Sequence, residues 1–161
     1  MPLDCTTPAV ELDSLETARQ ALLARPGFLL RRCLQKTSGR FNEGCAALGL
    51  TDRQYDYLFV LDIVEQLGQT ELGEVLGLDR STNTLVLKIL ERKGLVTREI
   101  PEEDTRRRLV RITAQGRDLL CRARTAADES QSAIADCLTA PEYRQLLMLL
   151  QRVLANLPEQ S

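Results

Sequence analysis

The 161-residue chain has no histidine and no tryptophan. The first absence removes the commonest general acid–base and the commonest metal ligand. Aromatic residues make up only 4% of the chain. No Gly-rich phosphate loop and no nucleophile motif occurs, so nothing nominates a catalytic site and an enzyme is not expected. The five cysteines (Cys5, Cys33, Cys45, Cys121, Cys137) are odd in number, widely spaced and without a Cys-x-x-Cys pair. That pattern nominates no zinc site and fits reduced thiols in a cytosolic protein. No metal and no cofactor are expected. Long uncharged apolar runs are also missing, which excludes a membrane-spanning helix. The N-terminus lacks the basic and apolar regions of a secretory signal. The expectation is a cytoplasmic protein with no membrane partner.

What is present is a core-forming composition, 43% hydrophobic, in a chain long enough for one domain with helical extensions. Residues 1–8 read as disordered. A first amphipathic helix is expected from Val10 to Ala24, broken by Arg25-Pro26-Gly27. A second runs from Phe28 to Leu48 with Leu30, Leu34, Thr37, Phe41, Cys45 and Leu48 on one stripe. Thr51 caps a third, whose stripe is Gln54, Tyr55, Leu58, Leu61 and Glu65 with Tyr57 alongside. The expected organisation is a disordered 1–8, N-terminal helices over 9–48, a lobe over 49–113 and C-terminal helices over 114–157.

The centre of that lobe is the stretch Leu72–Thr113. Gly77 ends one short helix, Asp79 can cap the next, and Gly94 stops it. Two short β-like runs follow, Leu95–Ile100 and Arg108–Ile112, joined by a charged loop. Helix, tight turn, helix and hairpin in that order make a winged helix, whose second helix can enter a DNA major groove. From Arg80 to Arg111 there are nine basic and five acidic residues, inside a chain of net charge −2. A basic patch on an acidic protein is what phosphate binding requires. The same fold can also dock proteins, and a steep salt dependence separates the two uses.

Leu76-Gly-Leu-Asp79, Ser81-Thr82, Lys93-Gly-Leu-Val96, Asp104-Thr-Arg106 and Ile112-Thr-Ala-Gln-Gly116 together resemble the MarR family of bacterial transcriptional regulators. The likeness covers about Gly27 to Leu120. It implies a mainly α fold with a small β-hairpin wing, a winged helix-turn-helix with N- and C-terminal dimerisation helices. It also implies that positions 83, 86, 87 and 90 face inward. Arg80, Ser81, Thr82, Thr84, Leu85, Lys88 and Arg92 are then the groove residues, with Arg106, Arg107 and Arg108 in the wing and Asp104 ordering its loop. Asn83 and Leu85 depart from the family, which usually has an apolar residue and often an arginine there. Leu85 can either touch thymine methyls or pack beneath its neighbours.

The last helix, opened by Thr139-Ala-Pro-Glu142, is apolar on too wide a face for a lone surface helix and needs a second partner. The family implies a homodimer, matching double-stranded DNA with a palindromic operator. Gly27-Phe-Leu-Leu-Arg-Arg-Cys-Leu-Gln35 resembles a pattern in members that control aromatic-compound catabolism. By that resemblance Phe28, Arg31, Arg32, Tyr55 and Tyr57 hold an effector: an aromatic carboxylate, a phenol or a coenzyme A thioester. Leu34 stands where relatives often carry histidine. The function expected is a repressor released by such an effector. The alternative is a redox sensor switched at Cys33 or Cys5, since Arg31 and Arg32 beside Cys33 favour its thiolate. In the wing, replacing Arg106 with alanine is expected to cost more DNA affinity than replacing Arg98. Equal, negligible losses in a binding titration would remove the assignment.

Overall fold

The computed structural model describes residues 12–101 and 107–158. They fall into two compact units, one ending at Lys36 and the other beginning at Thr37. The first unit holds α1 (Leu12–Leu23) and the opening of α2 (Pro26–Gly44). Pro26 does not precede this helix but starts it. At the first helical position its missing N–H is no loss, because that donor has no intrahelical acceptor. Within this unit Leu15, Leu22, Leu29, Leu30 and Leu34 are exposed.

In the second unit the same α2 stripe goes inside at Phe41 and Cys45. The helix stops at Gly44 rather than Leu48, and a short 3-10 turn over Ala46–Leu48 leads to Gly49 at φ 60°. Next come α3 (Asp52–Val64), β1 (Gln66–Gly68), α4 (Gln69–Val75) and α5 (Arg80–Arg92). Then follow β2 (Val96–Glu99), β3 (Leu109–Ile112), α6 (Ala114–Ala135) and α7 (Ala140–Asn156).

The sheet order is β1-β3-β2, antiparallel throughout. The hairpin β2–β3 pairs Val96 with Ile112 and Glu99 with Leu109. The sequence reading had no β1. Its three residues include no β-branched or aromatic side chain, so local propensity is silent. It becomes a strand because β3 offers it an edge, pairing Gln66 with Arg111 and Gly68 with Leu109.

The need to reach that edge corrects the α3 stripe. The helix ends at Val64, and Glu65 turns the chain at φ 61°. Few non-glycine residues adopt such an angle. Glu65 therefore belongs to the corner and not to the buried face. That face is Gln54, Tyr57, Leu58 and Leu61, with Tyr55 only half-buried. The core continues through Leu72, Leu87, Leu90, Leu95 and Val110.

The entry to α6 is fixed against the end of α5. Thr113 caps α6 by accepting from the Gly116 N–H at 3.0 Å, and its hydroxyl donates to the Gly94 carbonyl at 2.7 Å. A Cβ on Gly116 would stand 2.3 Å from the Leu95 carbonyl oxygen. Thr139 and Glu142 cap α7, whose Met148, Val153 and Leu154 remain exposed within this unit. Among the described residues no helix is long and apolar enough to cross a membrane.

Gly116→Ala is expected to destabilise the fold by about 1–3 kcal/mol through overpacking against backbone. Gly39 lies inside α2 with nothing within 4 Å of its would-be Cβ. Gly39→Ala should therefore stabilise by about 0.5–1 kcal/mol through helix propensity. Urea unfolding of both variants checks the contrast.

Candidate nucleic-acid interface

The turn between α4 and α5 is built from backbone needs. Gly77 takes φ 63°, where a side chain would be strained. Asp79 then caps α5. Its Oδ1 accepts from the N–H groups of Ser81 and Thr82, both at 2.9 Å, and its Oδ2 accepts from the Thr82 hydroxyl at 2.6 Å. The Thr82 hydroxyl, followed by these amides, holds the Asp79 carboxyl below its ordinary range.

The inward face of α5 is Asn83, Val86, Leu87 and Leu90, all buried. Asn83 is not a misplaced polar residue. Its Oδ1 accepts from the Tyr57 hydroxyl at 2.9 Å and its Nδ2 donates to the Gln69 carbonyl at 2.7 Å. Gly73 makes room for this amide, since a Cβ there would lie 2.5 Å from Nδ2. One side chain thus joins α3, the start of α4 and α5. It also corrects the expectation for Tyr57. That ring is fully buried, its hydroxyl is committed to Asn83, and burial pushes its pKa up to about 12. No face of Tyr57 is left for an effector.

The outward face carries Arg80, Ser81, Leu85, Lys88 and Arg92, all exposed, with Thr82, Thr84 and Ile89 partly so. Leu85 is 59% exposed, which removes the alternative that it packs under its neighbours. The Thr84 hydroxyl donates to the Arg80 carbonyl at 2.8 Å and accepts from Gln69 Nε2 at 3.3 Å.

The basic residues divide into two groups. Lys93 donates to the Gly49 carbonyl at 2.6 Å and to Gln54 Oε1 at 3.0 Å, tying the end of α5 to the start of α3. Arg98 pairs with Glu91, whose carboxyl that hydrogen bond holds below its ordinary range. Arg111 lies 3.8 Å from Glu99. Arg107 meets Glu71 at 2.9 Å, while the other oxygen of Glu71 accepts from the Gly68 N–H at 2.9 Å. By contrast Arg80, Lys88, Arg92 and Arg108 make no ion pair among the described residues. Asp104 and Arg106 lie outside the described residues.

A groove of about 900 Å³ opens between α4, the start of α5 and the approach to β3. Gln69, Glu71, Arg80, Thr84, Arg107 and Arg108 line it. The Arg108 carbonyl accepts from the Gln69 N–H at 2.8 Å, so the wing base is held beside α4. Sequence reasoning missed Gln69 and Glu71. The only local signal was the three-residue spacing from Gly68 to Glu71, which suits a carboxylate reaching back to a helix start.

The other expected residues sit as follows. In the first unit the Arg31 guanidinium lies 5.9 Å from the Phe28 ring centroid, and Arg32 donates to Gln35 at 3.3 Å. In the second, Tyr55 meets Phe41 edge-on at 5.4 Å and stacks on Phe59 at 6.1 Å. Cys33, Cys121 and Cys137 are exposed and Cys45 is buried, its thiol pKa raised by that burial. Cys5 lies outside the described residues.

A helix-turn-helix braced by a wing, with cations on the outer face of its second helix, defines a winged helix-turn-helix DNA-binding protein. The comparisons carry this to a family. The MarR family model matches residues 50–107. The uncharacterized HTH-type transcriptional regulator YdgJ of Bacillus subtilis (strain 168) is 30% identical over 112 residues, 70% of this chain and 68% of that protein. The PcaV transcriptional regulator from Streptomyces coelicolor, solved with its natural ligand, superposes with a TM-score of 0.76 at 31% identity. That match covers 84% of this chain and 95% of PcaV. A MarR mutant from E. coli complexed with operator DNA gives a TM-score of 0.73 at 29% identity, covering 80% of this chain and 92% of that one. The chain belongs to the MarR family of transcriptional regulators.

The Asp79 cap has a pH consequence. Its folded pKa is depressed below an ordinary value of 3.8. The stability it contributes is therefore present above that value and is lost as pH falls through the folded one. Acid titration of helicity is expected to show Asp79→Ala less stable than wild type at neutral pH. The two should converge once the wild-type carboxyl is protonated. A constant difference at every pH would show that the carboxylate is not the source.

Proposed function

We propose that this protein is a homodimeric repressor that occupies a palindromic operator and is released by a small effector. The observation that carries the reading is the division of charge on the second unit. Arg80, Lys88, Arg92 and Arg108 stand without acidic partners among the described residues, while Lys93 and Arg98 are used inside the lobe. A helix face with uncommitted cations beside a polar groove suits a duplex, where side chains position on phosphates and read base edges. Arg107 and Arg108 at the wing base extend the contact to the backbone, and the roles proposed for Arg106 and Asp104 rest on the family resemblance alone. The solved relative with operator DNA is consistent with this use of the fold.

Dimerisation is supported by the exposed apolar face of α7. An interface between two copies removes that surface from water and gives the two-fold symmetry of a palindrome. Effector release is supported by Arg31 and Arg32, exposed cations of the first unit with an aromatic ring beside one of them. That chemistry suits an aromatic carboxylate or its coenzyme A thioester, and a relative of this fold has a natural ligand.

Anisotropy titration across a salt series tests the DNA reading. Lys88→Ala is expected to weaken binding and reduce the salt slope by about one per copy, as loss of one phosphate contact does. Arg98→Ala should lower thermal stability and leave the slope unchanged. A flat salt dependence for the wild type would favour a protein-docking wing. A thermal-shift panel of aromatic acids, phenols and thioesters tests the effector, with hits expected to disappear in Arg31→Ala or Arg32→Ala.

A further inference from the structure

We propose that Leu85 reads thymine through its C5-methyl group at the centre of each half-site. This rests on the reading of α5 as the helix that enters the groove. One exposed leucine carries little by itself, because single apolar side chains are common on protein surfaces. What gives Leu85 a role is the state of its neighbours.

Hydroxyl donors on a groove helix would ordinarily serve phosphates and base acceptors. Here the Thr82 proton is already given to Asp79 Oδ2 at 2.6 Å, and the Thr84 proton to the Arg80 carbonyl at 2.8 Å. Thr84 Oγ1 also accepts from Gln69. Neither threonine keeps a free hydroxyl donor, so each offers a base its methyl group and the remaining acceptor capacity of its oxygen. Leu85 follows them in the same turn, 59% exposed, with Ile89 half-buried one turn on. Between Arg80 and Lys88 the face therefore offers methyl groups and no free threonine donor. Arg80, Lys88 and Arg92 are all exposed.

Of the four bases, only thymine presents an apolar group in the major groove. A helix face with methyl groups between Arg80 and Lys88 matches thymine flanked by phosphate or guanine contacts.

The test begins with selection of tight-binding duplexes from a random library using the full chain. Thymines of the enriched half-site are then replaced one at a time by deoxyuridine, which removes the methyl and keeps every hydrogen-bonding group. For the wild type, at least one replacement is expected to weaken binding about fourfold, and about fifteenfold when made in both half-sites. In Leu85→Ala the same replacement should have no effect. Leu85→Met, which keeps an apolar reach, should restore most of the sensitivity. Thermal unfolding confirms that both variants fold, as an exposed position allows. Binding indifferent to deoxyuridine, or equally sensitive in Leu85→Ala, overturns the proposal and leaves the DNA reading standing. Selection that enriches no sequence overturns the groove-helix reading and this inference with it.

Discussion

The carboxamide of Asn83 is the point on which this lobe turns. It sits where α3, α4 and α5 meet, accepting from Tyr57 and donating to the Gln69 carbonyl. A buried amide is costly unless satisfied, and here both ends are engaged. An apolar residue in its place would fill space without direction. The amide instead fixes the angle at which α5 leaves α4, because each bond works over a narrow range of geometry. Gly73 is part of the same device, since only a missing side chain lets α4 approach so closely. The outer face of α5 is aimed by what its inner face binds.

Much of this arrangement was legible in the sequence because local rules agreed with one another. Asp79, Gly77 and Gly94 marked the ends of α4 and α5, and the four inward positions that the family resemblance implied for α5 are the four that are buried. The hairpin was visible as two β-rich runs around a charged loop. What was hidden depended on residues distant in the chain. β1 exists because β3 lies beside it, and no property of Gln66, Leu67 or Gly68 announces a strand. The helical pattern puts Tyr57 only alongside the α3 stripe. It is buried because Asn83, twenty-six residues on, supplies the acceptor.

The candidate interface was legible in outline and less so in its division of labour. Counting basic residues marked the region but could not tell which were occupied. Lys93 lies in the same run as Arg92, yet it closes on Gly49 and Gln54 instead of facing outward. Arg98 faces Glu91 across the α5–β2 corner. These two cations bond within the lobe, and Arg80, Lys88, Arg92 and Arg108 beside them make no ion pair among the described residues. The threonines show the same limit, for a hydroxyl on a groove helix looks available until a cap carboxylate, as at Thr82, or a backbone carbonyl, as at Thr84, takes its proton.

Glu71 uses its two oxygens differently, one on the Gly68 amide at the start of α4 and one on Arg107 at the base of the wing. A wing arginine that turns toward a phosphate must therefore exchange one anion for another. Such an exchange releases fewer counterions than the capture of a solvated guanidinium. The number of arginines near the duplex then overstates the ionic-strength sensitivity of the complex. The carboxylate left behind keeps its helix cap and becomes a negative charge close to the backbone. In the proposed complex with DNA, that negative charge would oppose non-specific, purely electrostatic attachment and leave the grip more dependent on the base edges.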